Sequence, residues 1–227
     1  MEINTKERRP IAMRDKHWAQ ASARWLGKHN VTPNQISLAS IVCALVAGAA
    51  FSLAFTYPTL WRRVLCLLLA AAMIQGRLIC NLLDGMVAVE GGKASLAGPV
   101  YNELPDRISD SLILIGVGYG LIQYPWAATL GWSAALLALM TAYLRLLGGT
   151  CGLKQQFLGP MAKQHRMATL FVVALVALFL PPLWGQGVIA LALLIVNLGT
   201  LVTCWRRGKA ILRELNQLGL NKEQADE

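Results

Sequence analysis

The chain alternates between long uncharged stretches and short polar segments. The three longest stretches without Asp, Glu, Lys or Arg lie at 29–61, 111–144 and 167–205. Each is longer than the roughly 20 apolar residues that cross a bilayer as a helix. The pattern therefore predicts an all-α membrane protein that crosses the bilayer several times.

Prolines mark the ends of the apolar segments, as expected of a residue that lacks a backbone N–H. With these boundaries the sequence predicts six transmembrane helices, at 34–56, 60–88, 99–123, 127–149, 160–180 and 186–206. Thr32 and Pro33 are residue types preferred at the N-cap and the first position of a helix. Gly116, Gly118 and Gly120 follow no strand, so they indicate close helix packing and not a dinucleotide-binding loop.

Residues 13–28 are predicted to form an amphipathic helix on the membrane surface. Trp18, Ser22 and Trp25 would share one face, and the basic residues of the segment would meet anionic lipid. The alternative is a solvated basic arm. The predicted organisation is a cytoplasmic arm with the surface helix at 1–31, a six-helix membrane domain at 32–206 and a cytoplasmic tail at 207–227.

Composition and charge agree with this class. Hydrophobic residues make up 56% of the chain and charged residues 15%, against about 45–50% and about 25% in soluble domains. The net charge of +9 does not indicate nucleic acid, because most basic residues lie in the termini and in alternate connections between the predicted helices. The positive-inside rule places both termini in the cytoplasm. Arg62 and Arg63 are the exception on the opposite side.

Carboxylates are concentrated in one part of the chain. None lies between Asp15 and Asp84 or between Asp110 and Glu214, whereas five of the 12 Asp and Glu fall in the short segment 84–110. Membrane orientation does not require acids, and ionisable residues within or beside membrane segments are costly. The cluster therefore indicates a functional site.

Helical spacing places polar residues of this region on one face of each of two neighbouring helices. The two sets are Arg77, Asn81 and Asp84 in the second predicted helix, and Asn102, Asp106 and Asp110 in the third. Because these helices run antiparallel, the faces are predicted to oppose each other at the cytoplasmic surface. Oxygen ligands from two helices suit a hard cation such as Mg²⁺. The alternative is a loop whose acids cap the third helix and pair with nearby basic residues.

Arg77 and Asp110 are predicted to form a buried pair beneath these two faces. Each lies about one helical turn, or about 6 Å, deeper in the membrane than Asn81 or Asp106. An unpaired arginine inside a bilayer helix costs at least about 2.5 kcal/mol on insertion scales. Pairing would remove that cost and hold the second helix against the third.

A cationic group is predicted at the start of the fifth helix. Pro160 opens the helix, and Lys163 and Arg166 lie near its positive N-terminus with no acidic residue nearby in sequence. Such a position attracts phosphate. The alternative is ordinary anchoring by positive residues on the cytoplasmic side.

From residue 81 to residue 106 the sequence resembles the signature of the CDP-alcohol phosphotransferases (CDP-alcohol phosphatidyltransferases), D-x2-D-G-x2-A-R-x8-G-x3-D-x3-D. Every spacing of the signature is preserved in this segment, at Asn81, Asp84, Gly85, Ala88, Val89, Gly98, Asn102 and Asp106. The segment 32–37 also looks like the family's start of its first membrane helix. Six helices after a surface helix match the family as well, so the resemblance covers nearly the whole chain.

The resemblance implies an enzyme of phospholipid biosynthesis. In the family, a hydroxyl of an acceptor alcohol attacks the phosphorus on the lipid side of a CDP-alcohol, usually CDP-diacylglycerol, and CMP is released. The implied cofactor is Mg²⁺ or Mn²⁺, as one or two ions. The implied partners are the CDP-alcohol, an acceptor alcohol, membrane lipid and a second copy of the chain. Lys163 and Arg166 would bind a phosphate on the acceptor, which favours a phosphorylated alcohol as that acceptor. The implied location is the bacterial inner membrane, with the active site facing the cytoplasm.

The family's roles are carried over to the matching positions. Asp106 is implied as the general base. The implied metal ligands are Asp84, Asp106, Asn81 and Asn102. The implied CDP-binding residues are Asn34, Gly85, Ala88 and Gly98.

The sequence departs from the signature at three positions. Asn81 and Asn102 stand where the family has aspartate and Val89 where it has arginine, so the four metal positions carry two negative charges in place of four. Glu103 is expected to restore charge as a further metal ligand, turned towards the site by a kink at Pro105.

These departures favour a divergent bacterial branch of the family. One alternative is a non-catalytic lipid- or nucleotide-binding relative with the same fold. A second alternative, suggested by the intramembrane acids, is an ion-coupled transporter.

Overall fold

Helices form all of the regular secondary structure in the described part of the chain. The computed structural model describes residues 17–57, 59–90, 96–155 and 157–226. Seven helices lie in these ranges: α1 (His17–Lys28), α2 (Pro33–Leu53), α3 (Leu60–Glu90), α4 (Gly98–Gly120), α5 (Ala127–Thr150), α6 (Lys163–Leu178) and α7 (Pro182–Asp226). The predicted all-α class is therefore confirmed.

Local sequence explains where several helices begin. Thr32 caps α2 in both directions: its hydroxyl accepts a hydrogen bond from the Gln35 backbone N–H at 3.3 Å, and its own N–H donates to Gln35 Oε1 at 2.9 Å. Pro33, Pro99 and Pro182 occupy the first turns of α2, α4 and α7, where a missing N–H leaves no hydrogen bond unmade. The prediction for the start of α2 is thus confirmed.

The last two helices differ from their predicted bounds. α6 begins at Lys163 instead of residue 160, because Ala162 is still extended. α7 does not end at 206 but continues to Asp226, for 45 residues or about 67 Å. No proline interrupts this segment, and most of its residues favour helix. The predicted end of the last helix at 206 is therefore wrong.

Four helices are long and apolar enough to cross a membrane: Pro33–Leu53, Leu60–Val89, Ala127–Thr150 and Pro182–Gly219. α4 differs because it carries Glu103, Asp106, Arg107 and Asp110 in its first half, and α6 has only 16 residues. The chain is a multi-pass membrane protein, and six crossings remain a proposal.

α1 lies against the C-terminal part of α3. Ala19 and Ala23 are buried in this contact with Met86 and Val87 of α3. Trp18 and Trp25 lie on the outer side and are largely exposed. This pattern agrees with the predicted amphipathic character of the helix, although the predicted residues 13–16 lie outside the described residues.

Small residues let α2, α4 and α5 approach closely. α4 packs against both α2 and α5. A Cβ on Gly116 would overlap the backbone of Gly48, and one on Gly120 would overlap the backbone of Phe51. Gly118 lies against Gly131 of α5 in the same way. The prediction that these glycines serve helix packing is confirmed.

Gly116→Ala is expected to destabilise the protein although alanine favours helix more than glycine does. The new methyl group meets backbone, which cannot move aside as a side chain can, and overpacking of this kind costs about 1–3 kcal/mol. Gly208→Ala in α7 is the matched control, because nothing lies within 4 Å of its Cβ position. Thermal unfolding in detergent measures both. Equal melting temperatures for the two variants would contradict the close packing of α2 on α4.

Candidate functional site

A cavity of about 350 Å³ opens where α3 and α5 end and α4 and α6 begin. One wall carries carboxylates and amides from α3 and α4. Basic residues from α4, α5, α6 and α7 line the same cavity and are called the basic wall below. The described ionisable residues that line the cavity are Asp84, Glu103, Asp106, Arg107, Arg145, Lys163, Arg166 and Arg207. Five cations against three carboxylates make the cavity attractive to an anionic ligand.

The structure brings the predicted carboxylates and amides together. Asn81, Asp84, Asn102 and Asp106 all line the cavity, together with Gly85. The shared register of α3 and α4 explains this, because each set follows one helical face. Asn34, Ala88 and Gly98, which the resemblance implied as CDP-binding, are not among the residues that line this cavity.

The two aspartates have different partners. Asp84 is buried, and its Oδ2 accepts a hydrogen bond from Ser37 Oγ of α2 at 2.8 Å. Asp106 forms an ion pair with Lys163 of α6, and its Oδ1 lies 3.5 Å from Arg77 Nη2. Asp106 is thus held by two cations, whereas Asp84 takes part in no ion pair with the described residues.

Beneath the cavity, Arg77 and Asp110 form an ion pair, as their depths predicted. A third member joins them from α6, because Arg166 Nη2 donates to Asp110 Oδ2 at 2.8 Å. Arg77, Asp110 and Arg166 are each at most 1% exposed. This group, called the buried triad below, links α3, α4 and α6.

Lys163 and Arg166 have acidic partners, although no acidic residue lies near them in sequence. Lys163 pairs with Asp106 and Arg166 with Asp110, which lie 57 and 56 residues away in sequence. Only the packed helices bring these residues together. Lys163 remains partly exposed in the cavity, whereas Arg166 is enclosed and also donates to the Met161 carbonyl at 3.0 Å.

Glu103 contacts two arginines in the structure. One carboxylate oxygen accepts a hydrogen bond from Arg107 and the other from Arg145, each at 2.5 Å. Pro105 lies inside α4 without ending it. Glu103 thus contacts two arginines at the cavity wall, and its role as a metal ligand stays a prediction.

Sequence reasoning missed several residues of the basic wall. Arg145 ends the uncharged stretch 111–144 and lies inside α5, which is a signal of the same kind as Arg77. Arg207 is buried and donates to the carbonyls of Leu158 and Thr141 at 3.0 and 2.5 Å, so it ties the segment before α6 to α5 and α7. The unpredicted length of α7 hid this contact.

The oxygen-bearing side chains of the cavity decide whether it could hold the Mg²⁺ or Mn²⁺ that the resemblance implied. In the described ranges, no three His, Cys, Asp or Glu side chains come together as a metal-binding group. Asn81 Nδ2 is buried without a hydrogen-bond partner. Turning this amide over, so that its N and O exchange places, would present a carbonyl oxygen there. Two carboxylates and two amides at one wall therefore fit a hard cation. These four side chains carry two negative charges, whereas the four aspartates of the family signature carry four.

Solved structures with the same fold include those of a CDP-alcohol phosphatidyltransferase, phosphatidylinositol phosphate synthase (PgsA1) of Mycobacterium tuberculosis. The complex with manganese and citrate has a TM-score of 0.71 at 17% identity and covers 86% of this chain and 88% of PgsA1. The form with CDP-DAG bound has a TM-score of 0.71 at 17% identity and covers 86% and 94%. The apo form has a TM-score of 0.60 at 20% identity and covers 82% and 95%. At these identities the likeness establishes the fold.

A relative in sequence establishes the family. Inner membrane protein YnbA of Escherichia coli (strain K12) is 31% identical over 169 residues, which are 71% of this chain and 75% of YnbA. The chain belongs to the family of inner membrane protein YnbA. No model of a known protein family matches the sequence.

Because Asp110 pairs with both arginines of the buried triad, substitutions of Asp110 and of Arg77 should differ in their cost to stability. Asp110→Leu leaves both arginines without their carboxylate and is expected to cost about 3–5 kcal/mol. Arg77→Met is expected to cost less, because Arg166 still neutralises Asp110. The two changes together should cost less than their sum, as thermal unfolding in detergent will measure. A cycle of Arg62→Met with Asp110→Leu is the control, since Arg62 is an exposed arginine of the same helix. Additivity in both cycles would mean that Arg77 and Asp110 do not interact.

Proposed function

We propose that the protein is an enzyme of phospholipid biosynthesis that transfers a substituted phosphate group from a CDP-alcohol, such as CDP-diacylglycerol, to an acceptor alcohol and releases CMP. The observation that carries the proposal is the cavity, in which Asp84 and Asp106 face a basic wall within the fold of PgsA1. A diphosphate substrate needs cationic partners, and an attacking hydroxyl needs a carboxylate within reach.

The acidic wall is the proposed metal site. Asp84 and Asp106 with the side-chain oxygens of Asn81 and Asn102 would hold Mg²⁺ or Mn²⁺, and the reduced negative charge favours one ion over two. Such an ion would supply charge neutralisation for the diphosphate and for the leaving group. Glu103 is proposed as a positioning residue for Arg107 and Arg145, because its carboxylate is already shared between them.

In the proposed reaction Asp106 accepts a proton, and Arg107 and Arg145 bind phosphate oxygens. The acceptor hydroxyl forms a bond to the phosphorus on the lipid side of the diphosphate, its proton passes to an Asp106 oxygen, and the bond to CMP breaks. Arg107 and Arg145 line the cavity where they can bind phosphate oxygens of the CDP group. Gly85 leaves room for the nucleotide beside α3.

Lys163 is proposed to contact a phosphate on the acceptor. In the structure it pairs with Asp106, and a lysine on a flexible stem can exchange one anion for another. A phosphorylated acceptor would then draw Lys163 away from Asp106 and leave that carboxylate free to receive the proton. Arg166 serves in this proposal as a positioning residue, because its guanidinium is already bound to Asp110 and Met161.

The proposed topology rests on the distribution of basic residues along the chain. Six crossings by α2 to α7 would bring both termini and the cavity to the cytoplasmic side of a bacterial inner membrane. Residues 1–31 would form the arm and surface helix, and 32–206 the membrane domain. The C-terminal part of α7 would extend into the cytoplasm, and a homodimer is proposed by analogy with the family.

A second candidate is a non-catalytic relative that binds a CDP-alcohol without reaction. Asn81, Asn102 and Val89 favour it, and so does the engagement of Asp106 by two cations. Transport has no comparable support, because the carboxylates that suggested it lie in or beneath a cavity at one end of continuous helices and not at a midplane break.

Release of CMP tests the proposed function. Purified protein is given CDP-diacylglycerol, Mg²⁺ or Mn²⁺ and a panel of polyols and polyol phosphates as acceptors. We expect metal-dependent CMP release with at least one acceptor, and less than about a tenth of it in Asp84→Asn and in Asp106→Asn, since loss of a general base costs about 10²–10⁴-fold. Glu214→Gln, about two turns beyond Arg207 on α7, is the control and should keep full activity. No CMP release with any acceptor would support the non-catalytic alternative.

Lys163→Gln tests the phosphorylated acceptor. Loss of a charge-assisted hydrogen bond should raise the KM for the acceptor about tenfold or more, while the KM for CDP-diacylglycerol stays unchanged. Lys154→Gln is the matched control, because Lys154 is exposed in the segment between α5 and α6. An unchanged acceptor KM in Lys163→Gln would refute the assigned contact and leave the transfer reaction itself standing.

A further inference from the structure

At the end of the bundle opposite the cavity, α3 begins with two arginines in its first turn. Arg63 precedes Asp84 on the same helix by about 30 Å along its axis. It is only 7% exposed. It lines a second cavity of about 260 Å³ together with Phe55, Tyr57, Thr59 and Pro182.

Arg63 has no anionic partner among the described residues. Its Nε and Nη1 atoms are buried and make no hydrogen bond, and no ion pair in this part of the chain includes it. The sequence offers none either, because the chain has no Asp or Glu between 16 and 83 or between 111 and 213. All the helix ends and connections at this end of the bundle fall within those two ranges.

The local field is positive for two further reasons. The N-terminus of α3 carries the positive end of a helix dipole, and Pro182 places the N-terminus of α7 at the same cavity. Arg62 adds a second charge at Tyr57, with its guanidinium carbon 4.8 Å from the centre of that ring. An arginine cannot lose its proton to escape this environment.

A buried arginine that cannot pair within its chain requires an anion from outside. We propose that this second cavity binds a phosphate group, with the phosphodiester of a membrane phospholipid as its source. Guanidinium groups bind phosphate oxygens with several N–H donors at once. The cavity is otherwise lined mainly by apolar and aromatic side chains, among them Ala54, Phe55 and Leu60.

The surroundings favour a lipid over a free ion. Trp61 and Trp184 flank the starts of α3 and α7 and are 76% and 69% exposed. Exposed tryptophans at helix ends lie at the level of the lipid headgroups in membrane proteins. A phosphodiester at that level would meet Arg63, while the attached chains would meet the apolar outer surface of α3. The site is independent of the proposed enzymatic reaction.

Ligand-dependent stability tests the proposal. Full-length protein, freed of lipid in a neutral detergent, is unfolded thermally with phosphatidylglycerol, with diacylglycerol of the same chains, with inorganic phosphate and with no addition. Phosphatidylglycerol should raise the melting temperature, and diacylglycerol should not. In Arg63→Leu the concentration of phosphatidylglycerol that gives half of this rise should increase about tenfold or more, since a charge-assisted contact is lost.

The variant itself separates a binding role from a structural one. Without added lipid, Arg63→Leu should melt no lower than the wild type, because it removes an unpaired buried charge. Arg63→Lys keeps the charge and should retain part of the lipid response. Arg62→Leu removes an exposed charge beside the cavity and should weaken the response less than Arg63→Leu does. An equal response to phosphatidylglycerol in wild type and Arg63→Leu would overturn the site. A rise with inorganic phosphate that depends on Arg63 and equals that with lipid would overturn the assignment to a phospholipid.

Discussion

The carboxylate of Asp110 between two buried arginines is the contact on which the rest of the structure depends. Arg77 belongs to α3, Asp110 to α4 and Arg166 to α6, and all three are enclosed. A charge in such surroundings is stable only when it is paired, so the three helices must keep the register that brings these groups together. The cavity lies directly above this triad, and its walls therefore inherit their positions from it.

The same constraint explains how the cavity accommodates opposite charges. Asp106 is one turn from Asp110 and Lys163 one turn from Arg166, so the ion pairs repeat towards the cavity. Deeper in the bundle the pairs are closed to solvent, whereas Lys163, Glu103 and Arg145 remain accessible at the wall. A buried floor of paired charges that keeps one net positive charge lies beneath exchangeable charges. This arrangement suits a site for anionic substrates, because the floor does not need to rearrange when a ligand binds.

The two ends of the bundle differ in how their arginines are satisfied. At the cavity end each buried arginine contacts a carboxylate or a carbonyl oxygen. At the other end Arg63 pairs with no carboxylate among the described residues, and the chain has no acid there to supply a partner. The charge pattern of the sequence therefore assigns internal partners to one end and leaves the opposite end to meet the membrane.

The sequence by itself determined the fold class and the acidic wall, because both depend on local periodicity. Uncharged runs longer than a bilayer specify membrane helices, and Asn81 with Asp84, like Asn102 with Asp106, must share a face once those helices form. The sequence also predicted that Arg77 and Asp110 lie at the same depth in the membrane, because this depends only on the rise along each helix. The partners of Lys163 and Arg166 could not be predicted in this way, since Asp106 and Asp110 are distant in sequence and only the packing of α6 against α3 brings α6 to them. Tertiary structure likewise decided that Glu103 pairs with Arg145 of α5 as well as with Arg107 of its own helix. The period of the α-helix determines which residues are neighbours on one helix. The contacts between helices depend on how the apolar faces of all the helices pack together.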